Sequence, residues 1–111
     1  MKCKKLPIIL LVGVTLSTPA LAQKYVVEQK NKQFAQNGKQ LVELVIKKND
    51  VITFTNSDTI KHSVFSLSDA KLFDLGSTKP GVSKDVLFDR EGQVDIECSV
   101  HSEMYLKVIV Q

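Results

Sequence analysis

The sequence predicts an all-β protein, a sandwich or barrel of short antiparallel and mixed strands. Three observations carry this. Apolar and polar residues alternate with a period of two in several short runs, turn-forming residues separate those runs at short intervals, and no stretch has the periodicity of a convincing long helix. The 111 residues allow one domain at most, and 43% apolar against 24% charged content suits a compact fold rather than a disordered tail.

The first 22 residues stand apart. Met1-Lys2-Cys3-Lys4-Lys5 is a basic start, Leu6 to Leu16 is an apolar run broken by Pro7 and Gly13, and Ala20-Leu21-Ala22 is a small-x-small end. This pattern reads as a secretory signal peptide, residues 1–22, cleaved after Ala22. The apolar run falls short of the roughly 20 residues that a spanning helix needs. Cys3 precedes that run, so it is not placed as a lipidated cysteine. Cleavage leaves residues 23–111 as the single mature domain, exported to the periplasm and without a membrane anchor.

Along the mature chain, Tyr25-Val26-Val27 is a first strand candidate and Leu41 to Ile46, nearly continuous in apolar character, reads as a more central strand. In Val51-Ile52-Thr53-Phe54-Thr55-Asn56, Ile52 and Phe54 face a core while Thr53 and Thr55 face water. Leu67 to Thr78 is irregular; Ser68 to Phe73 reads either as a helical turn capped by Ser68 or as a loop that packs Phe73 and Leu75. Lys84 to Phe88 is a further strand candidate. Val94, Ile96 and Cys98 share the inward face of the next one, which delivers the cysteine, pointing inward, at the strand end. Leu106, Val108 and Val110 alternate with Tyr105, Lys107 and Ile109 in the last strand. Asn37-Gly38, Lys48-Asn49-Asp50, Pro80-Gly81 and Glu91-Gly92 supply the turns.

Charge and cysteine usage exclude several classes of function. The net charge of +3 resides in the leader: without Lys2, Lys4 and Lys5 the 15 basic residues become 12, against 12 acidic ones. A neutral chain has no electrostatic footprint for nucleic acid or anionic lipid. The mature chain keeps one cysteine, Cys98, and cannot form an internal disulfide. No C-x-x-C is present for thiol exchange, the five glycines are isolated and cradle no phosphate, and a Cys98–His101 nucleophile pair lacks a third, orienting group. The chain is not expected to be an enzyme.

One constellation remains. Cys98-Ser99-Val100-His101-Ser102-Glu103-Met104 has C-x2-H-x2-M spacing at a junction between strands, and His62 lies 36 residues before Cys98. Together, His62, Cys98, His101 and Met104 exhaust the histidine, cysteine and methionine of the mature chain. Singly, a buried cysteine or methionine is ordinarily core filler, and His62 beside Lys61 an ordinary turn residue. As a set they suit one copper ion cycling between Cu(I) and Cu(II): a thiolate and two imidazoles in a trigonal plane, with a weak axial thioether. Zinc competes for Cys and two His, but the soft methionine favours copper. Three ligands within seven residues require the loop to fold back on itself.

These residues resemble the small type 1 blue copper proteins, the cupredoxins, and among them the amicyanin, pseudoazurin and plastocyanin group. The resemblance covers nearly the whole mature chain. Val45 to Asn56 is similar to the family's strand-turn-strand before the first histidine, and Asp58 to Phe65 to its ligand segment. Phe73-Asp74-Leu75-Gly76, Lys79-Pro80-Gly81 and Phe88 to Gly92 are similar to the methylamine-utilisation-type plastocyanin-like domains, and the C-x2-H-x2-M loop has the amicyanin-like length. Ser63 stands where the family commonly has an asparagine that ties the two ligand segments together, and Ser102 where a proline often follows the second histidine.

The resemblance implies a Greek-key β-sandwich and a single-electron carrier between a redox donor and an acceptor, with His101 as the more exposed ligand and the electron port. A monomer is expected. A copper-buffering or copper-delivery protein that passes no electrons is the alternative.

Overall fold

A computed structural model describes residues 21–111; the leader, apart from Leu21 and Ala22, lies outside the described residues. Ten strands follow in order: β1 Lys24–Lys30, β2 Gln33–Gln36, β3 Lys39–Gln40, β4 Glu43–Ile46, β5 Asp50–Asn56, β6 His62–Ser68, β7 Lys71–Thr78, β8 Ser83–Phe88, β9 Gly92–Cys98 and β10 Tyr105–Val110. They form two five-stranded sheets, β3-β2-β1-β5-β8 and β4-β10-β9-β6-β7. The predicted β-sandwich is present, and its strands are mixed: β1 runs parallel to β5 and β4 parallel to β10, while the other pairs are antiparallel.

The alternation read from the sequence sets the core. Ile52 and Phe54 of β5, Val94, Ile96 and Cys98 of β9, and Leu106, Val108 and Val110 of β10 are all buried, and their odd-numbered or even-numbered neighbours turn outward. Val27, Phe34, Ile46, Val64, Val86 and Phe88 close the same cluster. Each such side chain, fully buried, contributes about 1.5–3 kcal/mol. Asp50, only 3% exposed, closes one end by accepting the amides of Lys47 and Gln23, both at 2.8 Å.

Two expectations are corrected. Leu41 to Ile46 is not a central strand: only Glu43–Ile46 is extended, at the sheet edge against β10 alone, and Val42 and Val45 face solvent. A continuous apolar run predicts burial on both faces, but here one face of an edge strand simply carries valine. Ser68 to Phe73 is neither a helical turn nor an irregular loop. Asp69 and Ala70 join β6 to β7 as a tight hairpin, and neither has positive φ, so the turn lacks the glycine or asparagine that would have announced it. Phe73 and Leu75 do pack against the core, from a strand rather than a loop.

The β6–β7 pairing carries an irregularity that bears on the site. Between Ser63↔Ser77 and Phe65↔Asp74, β6 advances two residues and β7 three. Gly76, at φ 69°, lies in the longer stretch and allows β7 to bulge. Beyond the bulge, His62 pairs with Thr78, whose hydroxyl donates to the His62 carbonyl at 3.0 Å.

Glycine substitutions separate backbone strain from crowding. Gly76→Ala meets open space, so it should cost about 1–2 kcal/mol from the left-handed backbone alone. Gly92→Ala has φ 141° and would place its Cβ 2.9 Å from that of Ala70, so it should cost more. Chemical denaturation of both variants checks this, and equal losses would remove the Ala70 contact from the explanation.

Candidate metal centre

The site lies at one end of the sandwich, where β1 and β5 end, β6 begins and β9 ends. Because β6 and β9 are antiparallel, with Val64 opposite Cys98, the start of one strand adjoins the end of the other. His62 is thereby brought beside Cys98 across 36 residues: Cys98 Sγ lies 3.7 Å from His62 Nδ1. Both side chains are buried, and Cys98 is a free thiol.

The other ring nitrogen of His62 is committed elsewhere. Nε2 lies 2.7 Å from Asp58 Oδ2. In the neutral ring Nε2 therefore carries the proton and donates it to the carboxylate, which leaves Nδ1 with a bare lone pair facing the sulfur. Burial pushes the Asp58 carboxyl up, but the Asn31 amide, the His62 ring and the Lys32 amide outweigh it and hold the group below the usual carboxylate range.

The segment from Cys98 to Met104 folds back on itself. The Ser99 amide donates to the Ser63 carbonyl at 3.0 Å, and the Met104 amide donates to the His101 carbonyl at 3.0 Å, closing a turn over Ser102 and Glu103. The tie between the two segments is thus made by the Ser63 main chain. Met104 is buried at 2% exposure in the same core cluster as Cys98. His101 is half-buried where His62 is fully buried, and its ring centroid lies 5.2 Å from that of His62.

Whether these residues suit a metal is tested by two features. For bonds of about 2.3 Å to sulfur and about 2.0 Å to nitrogen, donors about 120° apart on one ion are separated by about 3.7 Å, and at the tetrahedral angle by about 3.5 Å. The Cys98–His62 separation of 3.7 Å meets the trigonal value. In addition, His101 Nε2 is buried without a hydrogen-bond partner, an arrangement that costs about 1–3 kcal/mol unless a donor or a metal satisfies it. Among the described residues, no three His, Cys, Asp or Glu side chains form a ready-made metal cluster. The arrangement is a formed thiol–imidazole pair with a second imidazole beside it, and the donors present fit a thiophilic ion.

Comparison with solved structures places the architecture. A methionine-to-alanine variant of amicyanin in its Cu(I) form superposes with a TM-score of 0.69 at 21% identity, covering 79% of this chain and 82% of that one. A purple cupredoxin from Nitrosopumilus maritimus superposes with a TM-score of 0.64 at 22% identity, covering 78% of this chain and 99% of that one. The fold is that of the cupredoxins. At these identities the likeness establishes the cupredoxin fold and no more; no family model and no curated protein matches the chain.

Three residues that the sequence reading passed over support this end of the cupredoxin sandwich. Asn56 is wholly buried at the end of β5; its Nδ2 donates to the carbonyls of Ile60 at 2.8 Å and Thr78 at 2.9 Å, and its Oδ1 accepts the Asp58 amide at 2.9 Å. This asparagine ties the segment entering His62 to the end of β7. Thr78 holds the His62 carbonyl and Asp58 holds the ring. In sequence, Asn56-Ser57-Asp58 resembles ordinary turn chemistry, and only the four-residue step from Asp58 to His62 hints at more.

Asn56→Ala strands one buried carbonyl, of Thr78, together with the part-buried Ile60 carbonyl and Asp58 amide. It should cost about 2–4 kcal/mol in chemical denaturation; a loss under about 1 kcal/mol would mean that water reaches those groups.

Proposed function

We propose that the protein is an exported single-electron carrier whose redox group is one copper ion held by His62, Cys98, His101 and Met104. The observation that carries this reading is the buried Cys98 sulfur, 3.7 Å from the lone-pair nitrogen of His62. Thiolate, imidazole and thioether are the donors that accommodate both copper oxidation states, so copper there would accept and release an electron with neither state strongly disfavoured. The amicyanin and purple cupredoxin likenesses support the same reading through the fold.

The protein's part is to hold the donors still. His62 and Cys98 sit on paired strands of one sheet, and the ligand loop is closed at both ends by main-chain hydrogen bonds. Donors held in this way move little when charge changes at their centre. His101, half-buried, is the ligand nearest solvent and serves as the electron port. Val100 beside it is 57% exposed, and Ile60, two residues before His62, is 40% exposed. A weakly charged, partly apolar contact patch suits a mature chain whose charges balance, because such a chain does not steer its partners by net charge.

The leader of residues 1–22 and the periplasm belong to this reading, as do a redox donor and acceptor and a monomeric carrier. No described helix is long and apolar enough to cross a membrane.

The deciding experiment loads the mature chain, residues 23–111, with one equivalent of Cu(II). An intense visible band from thiolate-to-copper charge transfer is expected, and a pale solution would exclude the assignment. Cys98→Ser should abolish the band yet keep the far-ultraviolet circular dichroism of the sandwich, because this is a small substitution at the edge of a large core. Met104→Leu, a swap that conserves volume and costs under about 1.5 kcal/mol in stability, should raise the reduction potential by removing an axial donor; an unchanged potential would place Met104 away from the metal. Reversible electron exchange with a redox partner separates the carrier from a protein that only delivers copper.

A further inference from the structure

We propose, resting on the copper reading above, that Asp58 is a charged positioning residue that orients His62 and sets the reduction potential of the centre. Three features support it. The carboxylate stands behind the ring, Oδ2 at 2.7 Å from Nε2, on the side opposite the nitrogen that faces Cys98. The contact is sheltered, with the His62 side chain 0% and that of Asp58 13% exposed. Asp58 is also held from three directions, which is more than a surface ion pair requires: the Asn31 amide donates to Oδ1 at 3.0 Å, the Lys32 amide to Oδ2 at 3.3 Å, and the Asp58 amide itself donates to Asn56 Oδ1.

The turn between β1 and β2 makes sense in this light. Asn31 and Lys32 form the two-residue loop of the β1–β2 hairpin and both adopt left-handed backbone, φ 55° and 58°, as such a turn requires. This conformation presents two successive amides to one carboxylate. Asn31 and Lys32 also line a cleft with Met104, so the turn, the carboxylate and the ligand-bearing loop meet at one place.

The chemistry follows from the charge. A carboxylate that accepts the Nε2 proton fixes the tautomer and strengthens Nδ1 as a donor. A stronger donor with a negative charge behind it favours the more highly charged metal state, so Asp58 lowers the reduction potential. Asp58→Asn keeps an acceptor of the same shape and removes the charge. Asp58→Ala removes both.

The test is voltammetry of the copper-loaded wild-type, Asp58→Asn and Asp58→Ala proteins, with the visible band recorded alongside. Both variants should keep a charge-transfer band and show a higher potential than wild type, and Asp58→Ala should also lose about 10–100-fold in copper affinity. A residue that merely anchors the turn would change stability alone, so unchanged potentials in both variants would overturn the proposal. If the wild type forms no charge-transfer band, the copper reading fails, and nitrogen chemical shifts of His62 in the copper-free chain decide the positioning role separately. A ring protonated at Nε2 in wild type but not in Asp58→Ala supports the role, and the same tautomer in both overturns it.

Discussion

The pairing of β6 with β9 is the constraint on which the site depends. Antiparallel strands hold their neighbours about 4.8 Å apart across the hydrogen bonds, and the register Val64↔Cys98 leaves His62 just past the last pair, at the end where the cysteine side chain points inward. No local preference of either segment could bring two residues 36 apart to within 3.7 Å. The sheet does it as a by-product of burying Val64, Ile96 and Cys98 in one core, so folding stability and site geometry come from the same contacts.

A second layer of control comes from polar groups sealed into that end of the molecule. A buried polar atom without a partner is costly, and Asn56 and Thr78 use their side chains to satisfy buried main-chain groups on separate elements, while Asp58 backs the buried ring of His62. The bulge at Gly76 allows this, because the extra residue in β7 brings Thr78 opposite His62. The segment entering His62 is therefore held at its main chain by Thr78, at its ring by Asp58 and at its preceding loop by Asn56. Such a chain of contacts limits movement at the imidazole more strictly than packing alone would.

The two histidines occupy different surroundings, and the difference has chemical meaning. His62 is closed off from water and backed by a carboxylate, whereas His101 belongs to a short loop at the surface with an exposed valine beside it. This division follows from placing one imidazole on a strand and the other in a turn.

Several elements were legible in the sequence because a period of two has one physical meaning, a strand with a wet face and a dry one. Ile52 and Phe54, Val94 to Cys98, and Leu106 to Val110 are of this kind, and the scarcity of their types singled out His62 and Cys98, which the fold brings to 3.7 Å. Other features are invisible in one dimension. The apolar run at Leu41 to Ile46 could not reveal that it would lie at an edge, because edge or centre is decided by how many neighbours a strand finds. Asp69-Ala70 carries no turn signature, and its hairpin forms because Phe73 and Leu75 reach the core only if the chain reverses there. Asp58, Asn56 and Thr78 read as turn and strand polars until the fold surrounds them. The sequence by itself thus determined the fold class and the inventory of donors, through alternation and composition. Only the tertiary structure decided which donors meet, which ring nitrogen is left free and which carboxylate stands behind it, because those depend on register and burial between segments far apart in the chain.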